Sequence, residues 1–144
     1  MKVDLRYPHR HIRPPVSATE LDAPAVQGPV LVQSMRLFHP HLPWYVDVFS
    51  YNGITVKDVI SALIREMRRP VSREVLSDPV LMFSGEDKTD ILTAKERRIG
   101  AVGDEDIHTP LRRVDFLREH TSFHGLEMME NGLWRMCTSK PTRA

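Results

Sequence analysis

The sequence is short of several features that mark specialised classes of protein. It has one cysteine, Cys137, so it cannot form an intrachain disulfide, and a reducing compartment is expected. No hydrophobic run approaches the ~18 residues that a membrane span needs. The basic first residues also lack the apolar segment of a secretory signal. These absences lead us to expect a cytoplasmic protein with no membrane partner, and the nucleus stays open as an alternative.

Charge of either sign is not in excess, and cofactor motifs are missing. The 20 Lys and Arg residues nearly balance 19 Asp and Glu, for a net charge of +1 with neutral histidines. Nucleic-acid-binding domains usually carry a strongly basic face, so nucleic acid is not the partner that we expect first. The sequence has no G-x-S-x-G, and Gly100 and Gly103 follow a predicted helix instead of opening one. We therefore expect no nucleotide, no metal and no other cofactor.

What is present predicts one domain with extended termini. The 144 residues are 41% hydrophobic and 27% charged, which is typical of a globular chain that buries its own core. Residues 1–29 hold five of the eleven prolines and show no apolar period, which predicts a flexible basic arm. We place a single domain at 30–138 and a loose tail at 139–144.

Apolar spacing predicts the first half of the domain. Val30–Phe38 and Trp44–Phe49 are short, apolar and partly β-branched, which is typical of strands. In the segment from Val56 to Met67, apolar residues recur at helical spacing, Thr55 can cap the start, and Pro70 stops the helix.

The second half predicts another helix and a hairpin. A loop over Ser84–Asp90 leads into a helix over Asp90–Val102. Strands at Thr121–Met129 and Leu133–Cys137 flank Asn131-Gly132, a dipeptide that favours a type I′ turn. The expected fold is therefore α+β, with two main helices packed on an antiparallel sheet of about four strands.

Two blocks of sequence resemble a known family. The first runs from "MRLFHPHLPWYVDV" to "ITVKDVISALIREMRRPVS", and the second is "RRVDFLREHTSFHGLEM" with "LWRMC". Together they resemble a fungal family designated domain of unknown function 6699, over roughly Met35–Cys137. The family positions matched include His39-Pro40, Trp44 and Asp47-Val48. The resemblance implies the fold, and it implies no activity.

Titratable groups and aromatics suggest three candidate sites. His39 and Asp47 flank a proline-bounded turn, where they could form an acid–base pocket with His120 or His124. Asp115 could instead orient His120. The His39-Pro40-His41 spacing suits a metal, but Pro40 weakens a regular strand, so we expect His39 to be structural. The candidate ligand-binding aromatics are Trp44, Tyr45 and Tyr51.

These observations leave three hypotheses of function. The leading one is a small non-catalytic domain that binds a protein partner or a second copy of itself, because catalytic motifs are missing and a sheet has free edges. The second is a small-molecule-binding protein or enzyme that uses the His39–Asp47 pocket. The third is nucleic-acid binding through the arm, together with Arg65, Arg68, Arg69, Arg97 and Arg98.

Overall fold

Six strands form the main sheet, with helices packed on one of its faces. The structure, a computed structural model, describes residues 1–8, 12–103 and 108–141. The strands of the main sheet are β1 (Lys2–Asp4), β2 (Ile12–Arg13), β3 (Ser34–Phe38), β4 (Val46–Phe49), β7 (Ser122–Met128) and β8 (Trp134–Ser139), and a separate small sheet joins β5 (Pro70–Val71) to β6 (Leu111–Arg112). The helices are α1 (Ala18–Asp22), α2 (Val56–Met67) and α3 (Gly85–Val102), with 3-10 turns at Arg73–Ser77 and Arg113–Leu117.

The order of the main sheet differs from the expectation in two ways. The order is β2-β1-β7-β8-β3-β4, so the sheet has six strands instead of about four. It is also mixed, because β3 runs parallel to β8, with Leu37 opposite Trp134. The two hairpins β3–β4 and β7–β8 are antiparallel as predicted, and the parallel contact joins one hairpin to the other. The α+β class is confirmed.

Both main helices begin with a capping box. In α2 the Thr55 hydroxyl accepts the backbone N–H of Asp58, and the Asp58 carboxylate accepts the N–H of Thr55, at 3.2 and 2.9 Å. Ser84 and Asp87 repeat the arrangement at the start of α3. The segment Ser84–Asp90, predicted as a loop, therefore contains the N-cap of α3 and about its first one and a half turns. This segment has few apolar residues, so it shows no helical periodicity.

The β7–β8 hairpin has a different turn from the one predicted. A type I′ turn needs positive φ at both central residues. Here the positive φ falls at Gly132, at 82°, while Met129 and Leu133 close a three-residue loop through a 2.8 Å backbone hydrogen bond. The Gly132 N–H also donates to the Met129 carbonyl. This is a type I turn followed by a left-handed glycine.

The N-terminal segment lies in the fold, in place of the expected flexible arm. β1 pairs with β7, with Val3 opposite Phe123, and the side chains of Val3 and Leu5 are fully buried. The partner of β1 lies more than a hundred residues away along the chain, so the sequence of this three-residue strand alone does not indicate a strand. Of the arm's basic residues, His9, Arg10 and His11 lie outside the described residues. Residues 142–144 of the predicted tail also lie outside them.

The core fills the space between the sheet and the helices. Along β3 and β4, buried and exposed residues alternate, as expected of strands with one covered face. The buried face of α2 packs against the covered face of the sheet. The opposite face of β3 and β4 is open to solvent.

Candidate functional site

Three exposed aromatic side chains lie in and next to β4. Tyr45, Phe49 and Tyr51 are 53, 71 and 78% exposed; Phe49 lies on the outer face of the strand, Tyr45 precedes the strand, and Tyr51 follows it in a turn. We call these three residues the edge aromatics. Among them, Asp47 pairs with Arg36 of β3 at 2.8 Å, and the Arg36 guanidinium also lies 5.0 Å from the Tyr45 ring centre. The Arg36 hydrogen bond lowers the pKa of Asp47.

β4 is also an edge strand, and its outward backbone groups can be identified. The Ser50 N–H donates to the Gln33 carbonyl at 2.9 Å, so the backbone of residue 50 points at the β3 side. Backbone direction alternates along an antiparallel strand, so residues 46 and 48 also point inward. The N–H and C=O groups of Asp47 and Phe49 therefore point away from the sheet, at the end of its strand order.

His39 is a buried, structural histidine. Its Nδ1 accepts the backbone N–H of His41 at 3.0 Å, so the ring proton lies on Nε2, which donates to the Thr138 hydroxyl at 2.9 Å. Burial, followed by the charges of His41 and His120, lowers the pKa of His39 to about 4. The ring stays neutral at physiological pH and ties the end of β3 to β8.

The predicted pocket between His39 and Asp47 is not formed. In β4 the buried Val46 and Val48 flank the exposed Asp47, so its carboxylate lies on the outer face. His39 follows Leu37 by two residues and continues the covered side of β3. The two side chains therefore face opposite sides of the sheet, and they cannot share one substrate.

Asp115 has a partner other than the predicted His120. It lies in the 3-10 turn with 1% exposure, and its carboxylate receives Nε and Nη2 of Arg98 at 2.8 and 3.1 Å. The backbone N–H of Arg112 adds a third hydrogen bond at 2.9 Å. A carboxylate held by three donors is a structural anchor between α3 and the turn.

The remaining predicted site residues are dispersed. The His120 ring lies 6.4 Å from that of His41, while His124 is exposed at the bulge of β7. The Trp44 ring packs edge-on against Phe116 at 4.9 Å and is covered by the Arg113 guanidinium at 4.7 Å. Trp44 thus belongs to the packing of the domain, whereas Tyr45 and Tyr51 remain available for binding.

The arginines proposed for nucleic acid do not form a single free cluster. Arg65 and Arg69 both pair with Glu66, at 3.5 and 3.4 Å. Arg97 pairs with Glu119 at 2.9 Å, and Arg98 is completely buried. Their charges are therefore largely offset within the domain.

A polar cleft that the sequence did not predict lies between α3 and one end of the sheet. Its two adjoining lobes have volumes of about 530 and 290 Å³. Thr93, Ala94 and Arg97 line it from α3, and Thr121 and Lys140 line it from the ends of β7 and β8. We call it the α3 cleft. The i, i+1, i+4 spacing on α3 was visible in the sequence, but the strand ends that complete the cleft are far away along the chain.

Residues 1–8, 12–103 and 108–141 hold no group of three or more His, Cys, Asp or Glu side chains placed to bind a metal ion. In the same ranges, no helix has both the length and the apolar character needed to cross a bilayer.

The fold and surface together define a small α+β domain with a mixed sheet, an aromatic open edge and a polar cleft. A family model described as "Family of unknown function (DUF6699)" matches residues 1–133. The chain belongs to this family, and the match includes the N-terminal strands. Searches of curated proteins and of solved structures give no match.

Proposed function

We propose that this chain is a non-catalytic interaction domain, and that a second copy of the chain pairs with the outer edge of β4. The observation that carries the proposal is the coincidence of free backbone groups at Asp47 and Phe49 with the exposed edge aromatics. An unpaired edge strand is a template for another strand. Burying aromatic surface there would add a hydrophobic contribution to the backbone hydrogen bonds.

The strand is self-complementary in one antiparallel register. Hydrogen-bonded pairs must join residues whose backbones both point outward, which are Asp47 and Phe49. A twofold axis through Val48 pairs Asp47 of one copy with Phe49 of the other, and gives about four backbone hydrogen bonds. Tyr45 and Tyr51 flank this paired stretch in each copy, so the edge aromatics of the two copies lie near one another.

Charge favours this register over its neighbour. Shifting the axis to Asp47 would place two carboxylates directly opposite each other, which is destabilising. With the axis at Val48, each Asp47 keeps its own Arg36 and faces an aromatic ring instead. The other edge strand, β2, has two residues and is followed at once by Pro14-Pro15, so it offers a much shorter template.

The test is to compare two charged substitutions at one exposed position. In this register Phe49→Asp places a carboxylate opposite Asp47 of the second copy, while Phe49→Lys places an ammonium there. Both remove the same ring, so the difference between them reports charge. We expect the dimer dissociation constant of Phe49→Asp to exceed that of Phe49→Lys by about tenfold, since two symmetric pairs change sign. Analytical ultracentrifugation over a wide concentration range measures both.

Phe49 is 71% exposed, so neither substitution should unfold the domain, and circular dichroism checks that. A wild-type chain that stays monomeric at the highest concentration would exclude the proposal. Equal weakening of the dimer by Phe49→Asp and Phe49→Lys would show that β4 takes part in the dimer in another register.

The two other hypotheses receive less support from the geometry. An acid–base pocket would need His39 and Asp47 on the same side of the sheet. A nucleic-acid surface would need free arginines, and four of the arginines named for it, Arg65, Arg69, Arg97 and Arg98, have acidic partners.

A further inference from the structure

The α3 cleft gathers positive charge from separate parts of the chain. Arg97 projects from α3, Arg6 follows β1, Arg118 lies in the loop before β7, and Lys140 follows β8; all four line the larger lobe. The antiparallel pairing of β1 with β7 and of β7 with β8 brings these strand ends to the same end of the sheet. Cations that converge from several directions suit a compact oxyanion, whose oxygens also point in several directions.

Two residues that line the larger lobe each carry a buried polar atom that has no hydrogen-bond partner in the described part of the chain. These are Nε of Arg118 and the hydroxyl of Thr121, a residue that is only 4% exposed. Buried polar groups are nearly always hydrogen-bonded, so such a pair calls for an acceptor. Arg118 is also held at a φ of 61° and a ψ of −119°, a rarely populated backbone conformation.

The two cations at the mouth of the cleft are already paired with an acidic residue of the chain. The Glu119 carboxylate receives Arg97 and Lys140, each at 2.9 Å, and is 45% exposed. Hydrogen bonds from Lys140 and then Arg97 lower the pKa of Glu119 to about 2. Glu119 therefore remains an anion, placed where the charge of a ligand would go. The inner cations are also paired, Arg6 with Asp4 and Arg118 with Asp87.

We propose that the α3 cleft binds a phosphate group, with Arg118 and Thr121 as inner donors and with Arg97 and Lys140 as outer cations that Glu119 competes for. The free Nε of Arg118 and the Thr121 hydroxyl donate to two phosphate oxygens. The outer cations turn from Glu119 to the ligand. This site is separate from the β4 edge, so the two proposals stand independently.

Because Glu119 competes with the ligand for the outer cations, the proposal predicts that removing its charge strengthens phosphate binding. Replacing Glu119→Gln removes the competing charge and frees both outer cations, so phosphate binding should tighten by about tenfold. Arg97→Gln should weaken binding by about tenfold, since it removes one charged hydrogen bond. Thr121→Val keeps the shape of the side chain without its hydroxyl, and should also weaken binding.

Isothermal titration calorimetry of the full chain provides the measurement, with inorganic phosphate and O-phosphoserine as the probes. Arg65→Gln is the matched control: it removes a surface arginine of similar exposure from α2, and should leave binding unchanged. Tighter binding of O-phosphoserine would assign a phosphate ester as the natural ligand, and tighter binding of inorganic phosphate would assign the free ion.

Three results would overturn the phosphate site. The first is a wild-type chain and a Glu119→Gln variant that both fail to bind either probe. The second is equal weakening by Arg65→Gln and Arg97→Gln, which would mean non-specific attraction. The third is a Glu119→Gln variant that binds more weakly than wild type, because Glu119 would then be a ligand-supporting group instead of a competitor.

Discussion

At the scale of single residues, the ion pair of Arg98 and Asp115 has the largest predicted effect on stability. Both side chains are 1% exposed, and Arg98 also donates to the Pro110 carbonyl at 3.1 Å. Removing one partner leaves the other charge buried without its counter-ion. We expect Arg98→Met to lower the free energy of unfolding by about 3–5 kcal/mol, measured by urea denaturation. The double variant Arg98→Met with Asp115→Leu should recover part of that loss, and a double variant worse than the sum of both singles would contradict this account.

At the scale of elements, the β7–β8 hairpin depends on the backbone of Gly132. Its φ of 82° is costly for a residue with a side chain, while a Cβ there would meet no atom within 4 Å. Gly132→Ala should therefore lower the free energy of unfolding by about 1 kcal/mol through backbone strain alone. Gly132→Asn should cost less, because asparagine tolerates the left-handed region. Thermal unfolding of both variants measures the difference, and equal costs would argue against a left-handed residue at this position.

Elements that are specified by residues close together in the sequence could be predicted. Elements that depend on residues far away along the chain could not. α2 was found because its apolar face and its Thr55 cap lie within one short segment. β1 was missed because it is a strand only through its pairing with β7. In that pairing Val3 lies opposite Phe123, which is far away along the sequence. Arg98 was assigned to a nucleic-acid-binding surface, and its burial could not be foreseen because its partner Asp115 is seventeen residues away. The α3 cleft was missed for the same reason, since its lining comes from several distant segments.

At the scale of the whole molecule, the stability of the fold should depend on pH through His39. The unfolded chain protonates this histidine near its ordinary pKa of 6.5, whereas the folded chain does so near 4. Between these values the unfolded state binds more protons, so the free energy of unfolding falls as the pH falls from 6.5 to 4. The loss approaches about 3 kcal/mol at its limit. Urea denaturation at a series of pH values measures it.

His39→Gln is the control for this dependence, because an amide can still reach the Thr138 hydroxyl but does not titrate. Its slope should be shallower in the same pH range, with a remainder from His41, whose pKa is also lowered by burial. A wild-type chain equally stable at about pH 7 and about pH 5 would contradict the assignment.

The parallel contact between β3 and β8 also has a consequence for the order in which the chain can assemble. β7 and β8 stand at the centre of the sheet, yet they are the last strands along the sequence. Before they are synthesised, β1–β2 and β3–β4 are two separate strand pairs with no strand between them. The sheet can therefore close only after β8, Trp134–Ser139, has left the ribosome. Until then the covered faces of both strand pairs are exposed to chaperones and to misassociation.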